Sequence, residues 1–200
     1  MIYNVLDIET TGFNKSIDNI LEVGYIRVNN KCEILGHDTL FFYKPEYQIE
    51  SPAQEIHHLK RNFLEQYEKE FYKNLAVLYT LMSNGLIVGK NSDRFDIPFI
   101  QEFLRRNMGY IMPPAIAGSI DIQEEYKEIF QDWYFRKYKI STNKKGKLEE
   151  LIIMNGHKTI TLKEEFEKLF PECPRSSIHS ALFDSYMTLQ LLKDLIKMKE

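Results

Sequence analysis

Residues 4–14, NVLDIETTGFN, open with an apolar run that ends on Asp7 and Glu9. Strand side chains alternate between the two faces of a sheet, so residues two apart share a face. A strand here therefore sets two carboxylates side by side at the margin of a core. Like charges at that spacing repel, and a carboxylate withdrawn from water needs a compensating charge. Two arrangements meet the demand: a strand that ends in a solvated acidic turn, or a carboxylate pair that shares a bound cation. The second requires further ligands from elsewhere in the chain.

Two hundred residues, 44% hydrophobic and 13% aromatic, suffice for one good core, and no composition break divides them. A single domain over residues 1–200 is expected. No apolar run approaches the ~18 residues of a membrane span, and the strand pattern starts at once without a signal-peptide pattern, so a soluble, cytoplasmic protein is expected. Cys32 and Cys173 lack CxxC or histidine spacing, which argues against a disulfide framework or a zinc knuckle. The net charge of -3 argues against a generic polyanion-coating protein. The charge is unevenly distributed, however: residues 133–147, WYFRKYKISTNKKGK, hold six Lys or Arg and no Asp or Glu.

Strand patterns come first and helical ones later. Residues 2–6, 20–28 (ILEVGYIRV) and 33–43 (EILGHDTLFFY) read as three strands joined by turn chemistry at 12–19 and at Asn29-Asn30-Lys31, an antiparallel meander. From Ser51-Pro52 the spacing becomes helical, with Phe71, Leu75, Leu78 and Leu81-Met82 recurring on one face. Residues 86–88, closed by Gly89, predict a fourth strand feeding a helix over 96–107, whose Pro98 falls in the tolerant first turn. Residues 115–120 predict a fifth strand, with a helix from about Asp121. A basic and aromatic loop or insertion near 131–147 follows, then helical segments near 148–154 and 161–169. The last helix, 180–198, carries the stripe Leu182, Tyr186, Leu189, Leu192 and Ile196. A meander followed by alternation predicts an α/β sheet with helices on both faces.

Two further carboxylates fall at helix starts. Asp96, in VGKNSDRFDIPFI, has the ordinary alternative of capping its helix and complementing the dipole. Asp184, in SIHSALFDSYMTL, lies too far inside the last helix to cap it if that helix begins near Ser180. His179 precedes Asp184 by five positions, which on a helix would set them ~140° apart. His179 therefore belongs to the loop that enters the helix, where it suits proton transfer better than metal ligation.

In this order, Asp7, Glu9, Asp96, His179 and Asp184 resemble the DEDDh family of 3′-to-5′ exonucleases, the DnaQ-like and RNase T-like group that includes the proofreading subunits of bacterial replicative polymerases. The motifs are DIETTGF, GKNSDRFDIPFI and HSALFD, the last fitting His-x-Ala-x-x-Asp. The resemblance runs from Met1 to about Leu192 and is weakest between Ile122 and Ser177. Three positions depart from the family pattern. Lys90 stands where a histidine often precedes the Asn, His58 replaces the glycine of an Ile-His-Gly-Ile stretch, and Ser185 replaces the usual alanine after the last Asp.

The resemblance implies an RNase H-like fold, a central mixed five-stranded sheet with helices on both faces. It implies two divalent cations, Mg²⁺ or Mn²⁺, held by Asp7, Glu9, Asp96 and Asp184, since oxygen ligation selects these ions. Metals ~3.5 to 4 Å apart can stabilise the attacking and leaving oxygens of an in-line displacement. Asp7 would bridge both ions, Glu9 and Asp184 would complete the site of the nucleophilic water, and Asp96 would act largely through water. His179 would take the proton of the attacking water, a task suited to an imidazole near neutral pH.

Thr10, Gly12, Phe13, His57 and Asn91 match positions that bind the substrate terminus, although Phe13 could equally cover the sheet edge. Trp133, Arg136, Lys137, Tyr138 and Lys139 combine stacking surfaces with phosphate-attracting charge, as a single-strand track does. The alternative is a solvated loop with its aromatics packed on the domain. The expected function is removal of nucleoside 5′-monophosphates from single-stranded DNA 3′ ends, of proofreading or repair type. An RNase T-like exoribonuclease and a catalytically inactive polymerase-associated module are the alternatives. The expected partner is a single-stranded 3′ end, with room left for a polymerase and for a homodimer.

Overall fold

The structure is a computed structural model that describes residues 1–109, 115–128, 155–173, 175 and 179–199. Five strands form one mixed sheet in the order β3-β2-β1-β4-β5: β1 (Ile2–Thr10), β2 (Ile20–Asn29), β3 (Ile34–Phe41), β4 (Leu86–Gly89) and β5 (Ser119–Asp121). β1 pairs antiparallel with β2 and parallel with β4, and β4 pairs parallel with β5. The predicted meander and the five-stranded sheet are both present, and β1 is central, paired with β2 along its length and with β4 over Tyr3, Asn4 and Val5.

Around the sheet lie α1 (Ser51–His57), α2 (Arg61–Leu64), a 3-10 turn (Glu65–Glu70), α3 (Phe71–Ser83), α4 (Asp96–Asn107), a helical stretch over 122–128, α5 (Thr159–Leu169) and α6 (Ala181–Lys199). The alternation of β1 divides the interior into two cores. Leu6 and Ile8 pack with Leu75, Leu78, Met82, Phe99, Ile100 and Phe103 of α3 and α4. Val5 packs on the opposite face with Phe166 of α5 and with Leu182, Phe183 and Tyr186 of α6. Asp7 and Glu9 continue the Val5 side, and so face α6.

Several boundaries differ from expectation. β1 does not finish on its carboxylates: it runs on to Thr10, with a register shift between Glu9 and Thr10. Extended backbone continues there because β2 still supplies ladder partners, Glu22 to Glu9 and Ile20 to Thr10. The helical pattern after Ser51 is broken into short pieces before α3, and α1 ends at His58, whose φ of 59° is left-handed. That conformation favours glycine at a helix end, so the histidine occupies a glycine-like position. β5 is shorter and later than predicted and takes in Asp121, while residues 115–118 lie outside it. The expected segment at 148–154 and the 131–147 loop lie outside the described residues.

Cys32 and Cys173 are free thiols. Among the described residues no helix is long and apolar enough to cross a membrane.

Candidate active site

Asp7, Glu9, Asp96, His179 and Asp184 line one cleft of about 360 Å³, together with Ile8, Phe13, Lys90, Asn91 and Phe95. Three segments that are distant in the chain deliver them, the first and the last contributing two residues each. β1 supplies Asp7 and Glu9, the first turn of α4 supplies Asp96, the residue before Ser180 is His179, and the first turn of α6 supplies Asp184. Glu9, His179 and Asp184 each present a ligand atom, all within 4.8 Å of one another.

The approach of α6 to β1 depends on β2. Asp7 pairs with Gly24 and Glu9 with Glu22 across the ladder. A Cβ on Gly24 would lie 2.0 Å from the Leu182 nitrogen and 2.2 Å from the Ala181 carbonyl carbon, so only glycine admits the start of α6 onto the sheet. Ser185 then uses its hydroxyl, set 2.8 Å from the Ala181 carbonyl oxygen and 3.0 Å from that of Gly24, to hold the helix against β2. The departure from alanine at this position therefore adds a polar anchor.

The carboxylates share an electrostatic problem. Asp7 has its pKa raised well above the usual carboxylate range, first by burial and then by Asp96, Asp184, Glu9 and Glu22. Glu9 is raised by burial, Glu22 and Asp184, with Arg175 pulling the other way. Burial is also the main cause at Asp96, raised to about 7; its own N–H, the Ile8 N–H and Lys90 favour the charged form, and Asp121 opposes it. Asp96 is the first residue of α4 rather than its cap, and no side chain caps that helix. Its carboxylate is thus directed to the cleft. A set of oxygen donors that raise one another's proton affinity suits a hard divalent cation, which would remove the repulsion.

His179 adopts a φ of 63° and lies outside α6, as the spacing argument requires. Its N–H donates to Asp184 Oδ1 at 3.3 Å, and its Nδ1 is 3.9 Å from Asp184 Oδ2. The side chain is 45% exposed, against 10% for Asp184. The imidazole can therefore exchange protons with solvent while its backbone is tied to a ligand carboxylate.

The structure distributes the proposed substrate-binding residues unevenly. Phe13 is exposed at the mouth of the cleft, its ring centroid 6.4 Å from that of Phe95. Asn91 lines the cleft in a left-handed conformation, and its N–H donates to Asp121 Oδ1 at 2.9 Å. Thr10 and Gly12 are buried in the wall, where the Thr10 hydroxyl donates to the Gly12 carbonyl at 2.6 Å. A Cβ on Gly12 would meet Asp18 Oδ2 at 2.6 Å, so this glycine has a packing reason of its own. His57 is buried, and its Nδ1 accepts the Leu59 N–H at 2.9 Å, leaving the proton on Nε2 beside the Thr10 backbone. Burial, with Arg175 nearby, pushes its pKa down to about 4, so it is a neutral wall residue in this state. Trp133, Arg136, Lys137, Tyr138 and Lys139 lie outside the described residues.

Four contributors escape sequence reasoning. Phe95 and Lys90 complete the cleft lining. Asp121 accepts from the N–H groups of Asn91, Asp93 and Gln123, fixing the loop that leads to Asp96. Arg175 reaches Glu22, the carbonyl of His57 and the carbonyl of His179. A charged residue inside the apolar run ILEVG was the one available hint, because Glu22 shares the strand face of Gly24 and needs a cation.

Comparisons with known proteins bear on the family and the fold. The RNase T family model, described as an exonuclease, matches residues 5–192. The DNA polymerase III PolC-type protein of Thermotoga petrophila is 29% identical over 122 residues, covering 58% of this chain and 9% of the relative. Its counterpart in Caldanaerobacter subterraneus subsp. tengcongensis is 20% identical over 156 residues, 78% of this chain and 10% of the relative. Among solved structures, a zinc-bound E. coli exonuclease I complex with single-stranded DNA superposes with a TM-score of 0.74 at 20% identity, over 100% of this chain and 41% of that one. The chain therefore spans only a small part of the polymerase relatives and about two-fifths of exonuclease I. At this identity the structural likeness establishes the shared α/β fold.

Proposed function

Because the chain belongs to the RNase T family of exonucleases, we propose that it is a metal-dependent 3′-to-5′ exonuclease acting on single-stranded DNA. The observation that carries this reading is the convergence of Asp7, Glu9, Asp96, Asp184 and His179 on one cleft. The four carboxylates would hold two divalent cations, Mg²⁺ or Mn²⁺, which when bound stabilise negative charge on the attacking and leaving oxygens of a phosphodiester. His179 takes the proton of the attacking water through its partly exposed ring, and Asp184 keeps that ring oriented through its contact with the His179 N–H. Phe13, with Phe95 behind it, offers an apolar surface for the terminal base. Hydrolysis from the 3′ end releases nucleoside 5′-monophosphates.

The DNA preference is supported by the likeness to a protein solved with single-stranded DNA, and a proofreading setting by the polymerase relatives. A catalytically inactive module is disfavoured because all five central side chains are present and gathered. The test is incubation of the purified protein with Mg²⁺ or Mn²⁺ and matched 3′-labelled and 5′-labelled DNA and RNA oligonucleotides. Mononucleotide release from the 3′ end, faster on single-stranded DNA than on RNA, is expected. Faster release from RNA would move the assignment to the RNase T-like exoribonuclease, and no hydrolysis of either would overturn it.

A further inference from the structure

We propose that Arg175 is a positioning residue of this cleft: by gripping the backbone at His57 and at His179, it holds the His179 imidazole over Glu9 and Asp184. Its guanidinium spans three segments. Nη1 donates to Glu22 Oε2 on β2, and Nη2 donates to the carbonyl of His57 at the end of α1 and to the carbonyl of His179, the latter at 2.9 Å. The Arg175 carbonyl in turn accepts the Ser180 hydroxyl at 2.9 Å, so the residue is tied to the start of α6 at both ends.

Two features distinguish this arrangement from simple charge neutralisation. Glu22 is 1% exposed and requires a cation, yet only Nη1 of the guanidinium serves it. The remaining donors go instead to backbone carbonyls on two segments that border the site. The second feature is strain. His179 holds a left-handed φ of 63°, a conformation costly for a residue with a Cβ, which persists only where its surroundings impose it. Here the His179 peptide groups are held from two sides: the N–H by Asp184 and the C=O by Arg175. A planar fork with five donors can serve several acceptors at once, whereas a lysine ammonium in the same place would act as a point charge.

The catalytic meaning of this grip rests on the exonuclease reading, so the experiment includes a measurement that needs no turnover. Arg175→Met, Arg175→Lys, Glu22→Gln and the double variant Glu22→Gln/Arg175→Met are compared with the wild type by thermal melting, by steady-state kinetics on a single-stranded oligonucleotide with Mn²⁺, and by NMR of the His179 ring protons in the metal-free protein. In Arg175→Met, kcat is expected to fall about 10- to 100-fold, the usual range for loss of a supporting contact, with KM little changed. Added guanidinium should restore part of that rate. The double variant should recover the melting temperature, because no buried carboxylate is left unpaired, but not kcat. A folded Arg175→Met protein with wild-type kcat, or a double variant that recovers both quantities, would overturn the proposal. Should Arg175→Met not fold, the double variant is compared with Glu22→Gln alone. If the wild type itself does not hydrolyse nucleic acid, the exonuclease reading fails separately. The ring resonances then decide: displaced His179 signals support the grip, and signals superimposable on wild type refute it.

Discussion

Asp7 stands directly opposite Gly24 in the β1–β2 ladder, so the central carboxylate is paired with the residue that lets α6 descend onto the sheet. The first prediction follows from that pairing. Gly24→Ala would push a methyl group into the backbone of Ala181 and Leu182, which cannot yield as a flexible side chain would. Overpacking of this kind costs about 1–3 kcal/mol and more where backbone must move. The variant should melt at lower temperature and lose most nuclease activity, because Asp184 and His179 are carried away from β1. Chemical denaturation together with the oligonucleotide assay checks both.

Asp7→Asn should leave the fold intact and lower hydrolysis by about 10³-fold or more, since several kcal/mol of transition-state stabilisation are lost with a central ligand. Without metal the variant should be more stable than wild type at neutral pH, because one of several mutually repelling carboxylates has been removed. A gain of about 1 kcal/mol would appear as roughly 2–4 °C in melting temperature. Scanning calorimetry in chelator measures it.

Stability of the metal-free protein should also depend on pH in a defined direction. Asp96 and Glu22 are each raised to about 7 by burial, so the folded state binds protons more tightly than the unfolded chain. Their contribution is fully present below the unfolded carboxylate pKa of about 4 and is lost as pH rises through about 7. The melting temperature in chelator should therefore fall between about pH 5 and pH 7.5. Mn²⁺ should remove the part of that fall that comes from Asp96, a proposed ligand, and leave the part from Glu22, which Arg175 holds instead; calorimetry with and without the ion would show it.

His179→Ala should reduce kcat by about 10²- to 10⁴-fold, the range for loss of a positioned general base. The ring lies close enough to Glu9 and Asp184 to be a ligand as well, so Mn²⁺ affinity must be measured in the same variant. Affinity near wild type by calorimetric titration is expected. A large loss of affinity would make His179 a ligand instead.

Phe13→Ala removes an exposed ring at the cleft mouth, its centroid 6.4 Å from that of Phe95. Loss of a base-stacking partner should weaken binding of a single-stranded 3′ end by about 1–3 kcal/mol. Stability should scarcely change, because little buried surface is lost. Fluorescence anisotropy with an oligonucleotide, in Ca²⁺ to prevent turnover, separates this role from that of a core cover.

What the sequence by itself determined is local. Alternation along one strand sets Asp7 beside Glu9, and helical angles exclude His179 from the face of Asp184. Apolar spacing locates α4 and α6, and the order of the three motifs marks the family. These features depend on neighbours a few residues apart. Boundaries were less legible: β1 continues to Thr10 because β2 pairs with it that far, which no pattern within residues 2–10 reports. The support of the site was hidden altogether. Arg175 and Glu22 are 153 residues apart, Gly24 matters only because α6 lands on it, and Asp121 caps a loop about 30 residues earlier in the chain. A carboxylate or a guanidinium looks like ordinary surface charge until folding buries it. Only the tertiary structure then decides which partner neutralises it, because burial, not residue type, sets the cost of leaving it alone.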